Sequence, residues 1–208
     1  WKAMMDDLDY SIDVLTSLMN TDSSFNELTT EDRIYQGDYK KWIKFANSLK
    51  LRIAIRISNA VPEYAKEKAE EAVAHPYGVM DSNEYDAYDN ITTTNYKNGL
   101  ASVNSWGEVR ANACIVSFMN GYQDPRRGKY FVATAKGEYH GVRTGITPTS
   151  SYADSEDLSR VNCTNNDNIM WMTPAEAWFL RAEYELRWGS ESDAATYYAE
   201  GIRTSFST

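Results

Sequence analysis

The sequence is short of the groups on which most enzymes and metal proteins depend. It has two histidines and two cysteines in 208 residues. Cys114 and Cys163 lie far apart, with no Cys-x-x-Cys and no Cys/His spacing that would hold a metal. They could pair, but two buried thiols suit free cysteine better. His75 and His140 have no recognisable nucleophile partner. His75, just before Pro76, reads as a helix C-terminal residue favoured by the dipole. Nucleophile-elbow, Walker and Gly-x-Gly-x-x-Gly motifs are missing. The expectation is therefore no catalytic residue, no cofactor and no metal. No run of 18 apolar residues occurs, which excludes a transmembrane helix, and no signal peptide is visible. Basic residues are scarce too: 21 stand against 30 acidic ones, a net charge of −9. They cluster little outside residues 40–56. Such a surface repels phosphate, which argues against a nucleic-acid partner.

What is present is aromatic. Fifteen tyrosines and six tryptophans supply flat apolar faces with a polar edge, suited to neutral partners such as sugars or peptides. A chain of this length buries a sizeable core as one or two domains. It begins at Trp1 inside a helical pattern and ends at Thr208 just past another, so it reads as part of a longer protein.

Helical periodicity marks both ends of the chain. Met5, Leu8, Ile12, Leu15 and Met19 share a face over 2–19. Asp38 is a good N-cap for a helix over 39–59. That helix, "YKKWIKFANSLKLRIAIRISN", has a stripe of Trp42, Ala46, Leu49, Ile53 and Ile57, with Phe45, Ile55 and Leu51 beside it. A helix this apolar packs on two sides. Pro62 opens a third helix over 62–74, with Ala65, Ala69, Ala72 and Val73 inward. Near the C-terminus, Thr173 and Glu176 suggest a capping box, Pro174 sits at the first helical position and Gly189 ends the helix at 188. A last helix over 191–205 follows. The 34 residues from Thr173 to Phe206 match the tetratricopeptide period, although that repeat's signature is missing. Trp1, Trp42, Trp171 and Trp178 read as core; Trp188 could face either way.

Between these helices, residues 78–172 form a large irregular insert rich in Gly, Asn, Thr, Ser and Tyr. A short helix is expected in 106–120, then a turn at Asp124-Pro125 and a strand around 130–133. Residues 137–168 read as loop. Long loops in compact domains are usually functional or disordered, and the aromatic content argues against disorder. Sugars bind through aromatic faces and amide or acid groups. The candidates of that kind are Tyr85, Tyr88, Asn95, Tyr96 and Trp106, with Tyr139 in a second loop. "DSNEYDAYDN" (81–90) resembles a calcium loop in composition, but lacks the central Gly and final Glu of an EF-hand. A solvated acidic turn is the plainer reading.

Three stretches together resemble the SusD/RagB family of nutrient-binding outer-membrane lipoproteins. They are "DRIYQGDYKKWIKFANSLKLRIAIRIS" (32–58), "NGYQDPRRGKYF" (120–131) and "MWMTPAEAWFLRAEYELRWG" (170–189), the last followed by "YYAEGIRTS" (197–205). The resemblance implies a single, mostly α-helical domain. Tetratricopeptide-like helix pairs would carry the irregular insert with its short strands. It implies capture of an oligosaccharide or polysaccharide, in some members a peptide, without catalysis. It also implies a SusC-like TonB-dependent transporter as partner. The protein would lie on the extracellular face of the outer membrane, held by a lipidated N-terminal Cys that is not in this sequence. The family has no shared ligand-contacting motif to carry over. In this reading residues 40–56 are core, with Arg52 and Arg56 bonded to carbonyls or carboxylates. Two alternatives stay open. A helical glycoside hydrolase would show two carboxyls facing across a cleft, about 5 to 10 Å apart. A tetratricopeptide scaffold would need no aromatic insert.

Overall fold

The computed structural model describes residues 1–93, 95–107, 109–146 and 156–207. Among these, the helices are α1 (Lys2–Thr21), α2 (Tyr39–Ile57), α3 (Pro62–Ala74), α4 (Gly99–Ser105), α5 (Ala113–Gly121), α6 (Arg127–Tyr130), α7 (Pro174–Trp188) and α8 (Glu191–Phe206). The strands β1 (Ala87–Asp89), β2 (Phe131–Val132), β3 (Arg160–Val161) and β4 (Ile169–Met172) are short. The protein is mostly α-helical. The chain divides into a helical unit, Trp1–Asn90 with Met170–Thr208, and an insert unit, Ile91–Ile169.

In the helical unit, α2 is the central element. It is started by Asp38, whose carboxylate accepts from the Lys40 and Lys41 amides, a cap that satisfies otherwise orphaned donors. Ile43, Leu51, Ala54 and Ile55 of α2 are buried. They pack in two apolar clusters with Met5, Ile12 and Met19 of α1, Ala69 and Ala72 of α3, and Ala177 and Leu180 of α7. The helix is buried on nearly every side, including its polar positions. Asn47 donates to the Gly78 carbonyl at 3.1 Å, and Ser48 accepts from the Met80 amide at 2.9 Å. The segment 78–80 thus satisfies the polar groups that α2 carries into the core.

Lys50, on a helix read from the sequence as an apolar stripe, is also inside, its side chain only 7% exposed. Its ammonium sits 2.5 Å from both Asp9 of α1 and Glu71 of α3, and Lys68 bridges the same two carboxylates. Burial alone would raise both acids, but hydrogen bonds from Lys50 and Lys68 outweigh it and hold Asp9 and Glu71 below their ordinary values.

Several sequence expectations are corrected here. Glu176 does not complete a capping box. Thr173 accepts from the Glu176 amide, but the Glu176 carboxylate reaches α2 instead, taking two 2.6 Å bonds from Nε and Nη2 of Arg52. A charge-assisted bidentate pair is stronger than a neutral cap bond. Arg56 is exposed at the end of α2 and makes no such pair among the described residues. His75 is the C-cap of α3, as its place before Pro76 suggests, but the favourable effect of the dipole on its charge is opposed. It is half-buried, and burial first, then Lys50, lower its pKa. Its Nδ1 accepts from the Tyr77 amide. Trp1 and Trp171 are half-exposed; Trp171 lies on β4, where Ile169 and Met170 are exposed as well. Trp42 and Trp188 pack against the core.

The loop between α1 and α2 is organised by Asp32. One carboxylate accepts from the Ile34, Tyr35 and Gly37 amides and from the indole of Trp42. Gly37 adopts φ 82°, and a Cβ there would lie 2.6 Å from the Glu27 carbonyl, so only glycine fits. At the other end, α7 and α8 form a close helical hairpin. Gly201 of α8 lets the Phe179 ring approach to where a Cβ would meet it at 2.8 Å.

Candidate functional site

The insert unit has its own small core of Ala111, Val116, Met119 and Phe131, with Tyr139 packed against it. The short helix expected in 106–120 is α5, which occupies only the second half of that stretch. α4 ends at Ser105, and α5 starts only after Asn112, whose side chain caps the Cys114 amide. The intervening Gly107 has φ 85° and breaks the helix. β2 pairs antiparallel with β3, Phe131 opposite Val161. The reading of 137–168 as loop is corrected to that extent; residues 147–155 lie outside the described ones. Cys114 is exposed and Cys163 half-buried, both as free thiols. The two-buried-thiol expectation fails for Cys114 because the inward face of α5 belongs to Val116 and Met119.

A cleft of about 370 Å³ opens in this unit, lined by Asn120, Arg127, Gly137, Glu138, Tyr139 and His140. Its walls are cross-braced. Asn120 donates to the Tyr139 carbonyl and accepts from Arg127 Nη1, both at 2.9 Å. The Arg127 guanidinium lies 5.1 Å from the centre of the Tyr139 ring, a cation–π distance. His140 Nε2 and a Glu138 carboxylate oxygen are 2.9 Å apart. The turn before α6 is held by Asp124, which takes Nε and Nη2 of Arg126 at 3.0 and 2.6 Å. Hydrogen bonds from Arg126 hold the Asp124 carboxyl down at about 2. An aromatic ring, an amide, a guanidinium and a carboxylate around one concavity make an arrangement that can bond hydroxyls and carbonyls of a polar ligand.

The six residues singled out from the sequence do not fall in one unit. Tyr85 and Tyr88 belong to the helical unit, the others to the insert. Tyr85 is partly buried against the core, with Lys44 Nζ 4.6 Å from its ring centre. Burial first, then Glu84, push its hydroxyl up to about 12. Tyr88 is half-buried on β1. Trp106 and Tyr96 are 69% and 70% exposed, and Asn95 is exposed beside Tyr96. Tyr139 is a wall of the cleft. The acidic groups of 81–90 go separate ways: Asp81 pairs with Lys44, Asp89 with Arg33, and Asp86 is half-buried and raised by burial alone. No cluster of three His, Cys, Asp or Glu that could hold a metal exists among the described residues.

Sequence reading missed Phe118 on α5 and Tyr122 just past its end, both exposed, with ring centres 4.7 Å apart. Their spacing of four, off the Val116–Met119 face, was the available signal. It also missed Asn120 and Arg127. The signal for Arg127 was Asp-Pro-Arg-Arg, one acid followed by two arginines.

A family model described as SusD-like, for the SusD and RagB outer membrane lipoproteins, matches residues 1–208. Among solved structures, the chain is similar to a SusD-like protein from Bacteroides thetaiotaomicron, at 46% identity and TM-score 0.89, over 100% of this chain and 43% of that one. It is similar to a SusD homologue from Bacteroides vulgatus at 34% identity and TM-score 0.89, over 99% and 43% of the two chains. It is also similar to a chitin-binding SusD homologue from Flavobacterium johnsoniae, at 37% identity and TM-score 0.90, again over 99% and 43%. The chain thus spans less than half the length of these relatives. No curated protein sequence matches it.

Proposed function

The chain belongs to the SusD and RagB family of outer-membrane lipoproteins, and from that premise we propose that it is part of a non-catalytic glycan-capture protein. The protein binds an oligosaccharide at the cell surface and passes it to a SusC-like TonB-dependent transporter. It sits on the extracellular face of the outer membrane through a lipid anchor. No helix among the described residues is long and apolar enough to cross a membrane.

One observation carries the reading: the insert presents Trp106 and Tyr96 to solvent, each more than two-thirds exposed. Rings exposed to this degree are open to a ligand or partner. Flat faces of this kind cover the C–H patches of sugars. The chitin-binding activity of a 37% identical homologue supports a glycan as the ligand class. The hydrolase alternative has less support, since Glu138 is the one carboxylate among the described residues lining the insert cleft and hydrolysis calls for two.

The test is a glycan array followed by calorimetry on the full-length protein, with product analysis of each sugar that binds. Saturable binding of an intact glycan, weakened about tenfold or more in Trp106→Ala, supports capture. Cleavage of the sugar refutes the non-catalytic reading. Binding to no glycan refutes the proposed ligand class.

A further inference from the structure

Charge is divided unevenly along the chain. Residues 91–169 hold eight basic and seven acidic side chains, and the remainder holds thirteen and twenty-three. The insert is therefore net +1 in a protein of net −9. Five of its basic residues, Arg126, Arg127, Lys129, Lys136 and Arg143, fall within the segment that supplies most of the cleft. The insert is thus close to neutral, and the rest of the chain carries the negative charge.

Two arginines stand side by side at 126 and 127, and one acid serves them. Asp124 is gripped through both oxygens by Arg126. Lys136 pairs with Asp157 at 3.1 Å. Arg127 has no carboxylate at ion-pair distance among the described residues; the Asp124 pair is with Arg126. Yet its guanidinium is fixed, by Nη1 on Asn120 and by the Tyr139 ring. Its Nε is enclosed and has no acceptor. Asp124 acts on Arg127 only through its field, without an ion pair, and a pinned, partly buried cation of this kind is stabilised by a closer anion. Nη2 and Nε share the edge of the guanidinium that a carboxylate grips with both oxygens. Because Nε is enclosed, the contact offered to an anion is Nη2, which makes no hydrogen bond among the described residues.

We propose that this cleft takes the carboxylate of an acidic sugar, a uronic acid unit of an oligosaccharide. Arg127 is the anion contact, Tyr139 and Asn120 hold it in place, and the cleft is at the small end for ligand pockets. Glu138 is the opposing group. It faces the same cleft, is held by His140, and weakens the attraction for any anion. The inference rests on the glycan-capture reading.

The experiment is calorimetry of the full-length protein with tetragalacturonate, its carboxyl-reduced counterpart, and a sulfated neutral tetrasaccharide. Expected are at least tenfold tighter binding of the acid than of its reduced form, and loss of that preference in Arg127→Gln with an unchanged melting temperature. Glu138→Gln should tighten the acid several-fold, a gain that a misfolded variant could not give. Equal affinity for the acid and reduced forms overturns the proposal, as does a preference that survives Arg127→Gln. Tighter binding of the sulfated sugar overturns the carboxylate assignment. Neutral-glycan binding that depends on Trp106, without any acid preference, sinks this inference alone. Binding to none of the sugars here or on the array sinks the capture reading with it.

Discussion

The indole Nε1 of Trp42 donates a 2.7 Å hydrogen bond to Oδ2 of Asp32. The bond ties the first turn of α2 to the loop before it, because the same carboxylate also collects three backbone amides. Burial would raise Asp32, but the bonds from Trp42, Gly37, Tyr35 and Ile34 outweigh it and keep it ionised at lower pH than a free Asp. Asp32→Ala strands four donors and is expected to cost about 2–4 kcal/mol. Trp42→Phe removes one donor and part of the packing, for about 1–2 kcal/mol. Denaturant titration of both variants checks the order, and Asp32→Ala milder than Trp42→Phe would contradict it.

The Arg52–Glu176 pair joins α2 to the start of α7 across 124 positions of sequence. A double-mutant cycle with Arg52→Ala and Glu176→Ala should give a coupling of about 1–2 kcal/mol. Thr173→Ala, which removes the adjacent cap bond, should cost about 1 kcal/mol independently of it. Coupling near zero would show that solvent screening cancels the pair.

Acid should loosen the contact of α1 with α2 and α3. Asp9 and Glu71 have folded values below their ordinary 3.8 and 4.5. Depressed acids contribute stability that is fully present above those ordinary values. It is lost as pH falls through the lowered folded ones. The melting temperature should therefore hold as pH drops toward 5 and fall steeply below about 4. In Asp9→Asn the fall should be shallower. An unchanged acid profile in that variant would remove Asp9 from the explanation.

Asp86 should behave in the opposite sense. Its carboxyl is raised by burial, and Oδ1 has no partner, so its charge opposes folding at neutral pH. Asp86→Asn is expected to raise the melting temperature by about 1–2 °C at pH 7. The gain should vanish as pH falls below the raised value, where Asp86 itself is neutral. A loss of stability at pH 7 would point to a hidden role for the charge.

Gly201→Val should open the α7–α8 hairpin. The added carbons meet the Phe179 ring, and overpacking of this kind costs about 1–3 kcal/mol. Phe179→Leu in the same chain should recover part of it. No recovery would locate the damage elsewhere in α8.

Local chemistry was readable in the sequence where it acts within a turn. The Asp38 cap on α2, the Pro62 and Pro174 starts and the three-and-four spacing of Met5, Leu8, Ile12, Leu15 and Met19 are effects between residues a few positions apart. The capping box shows where that stops. Thr173 behaves as its motif says, but the Glu176 carboxylate is claimed by Arg52.

By itself the sequence determined the mostly helical architecture and the family, because periodicity, caps and motif order are properties of neighbours along the chain. Only the tertiary structure decided that Lys50 is inside, that Trp106 and Tyr96 are outside, and that Arg127 rather than Arg126 lacks an acid. Exposure and charge pairing depend on which distant segments pack together, and composition carries almost no information about that.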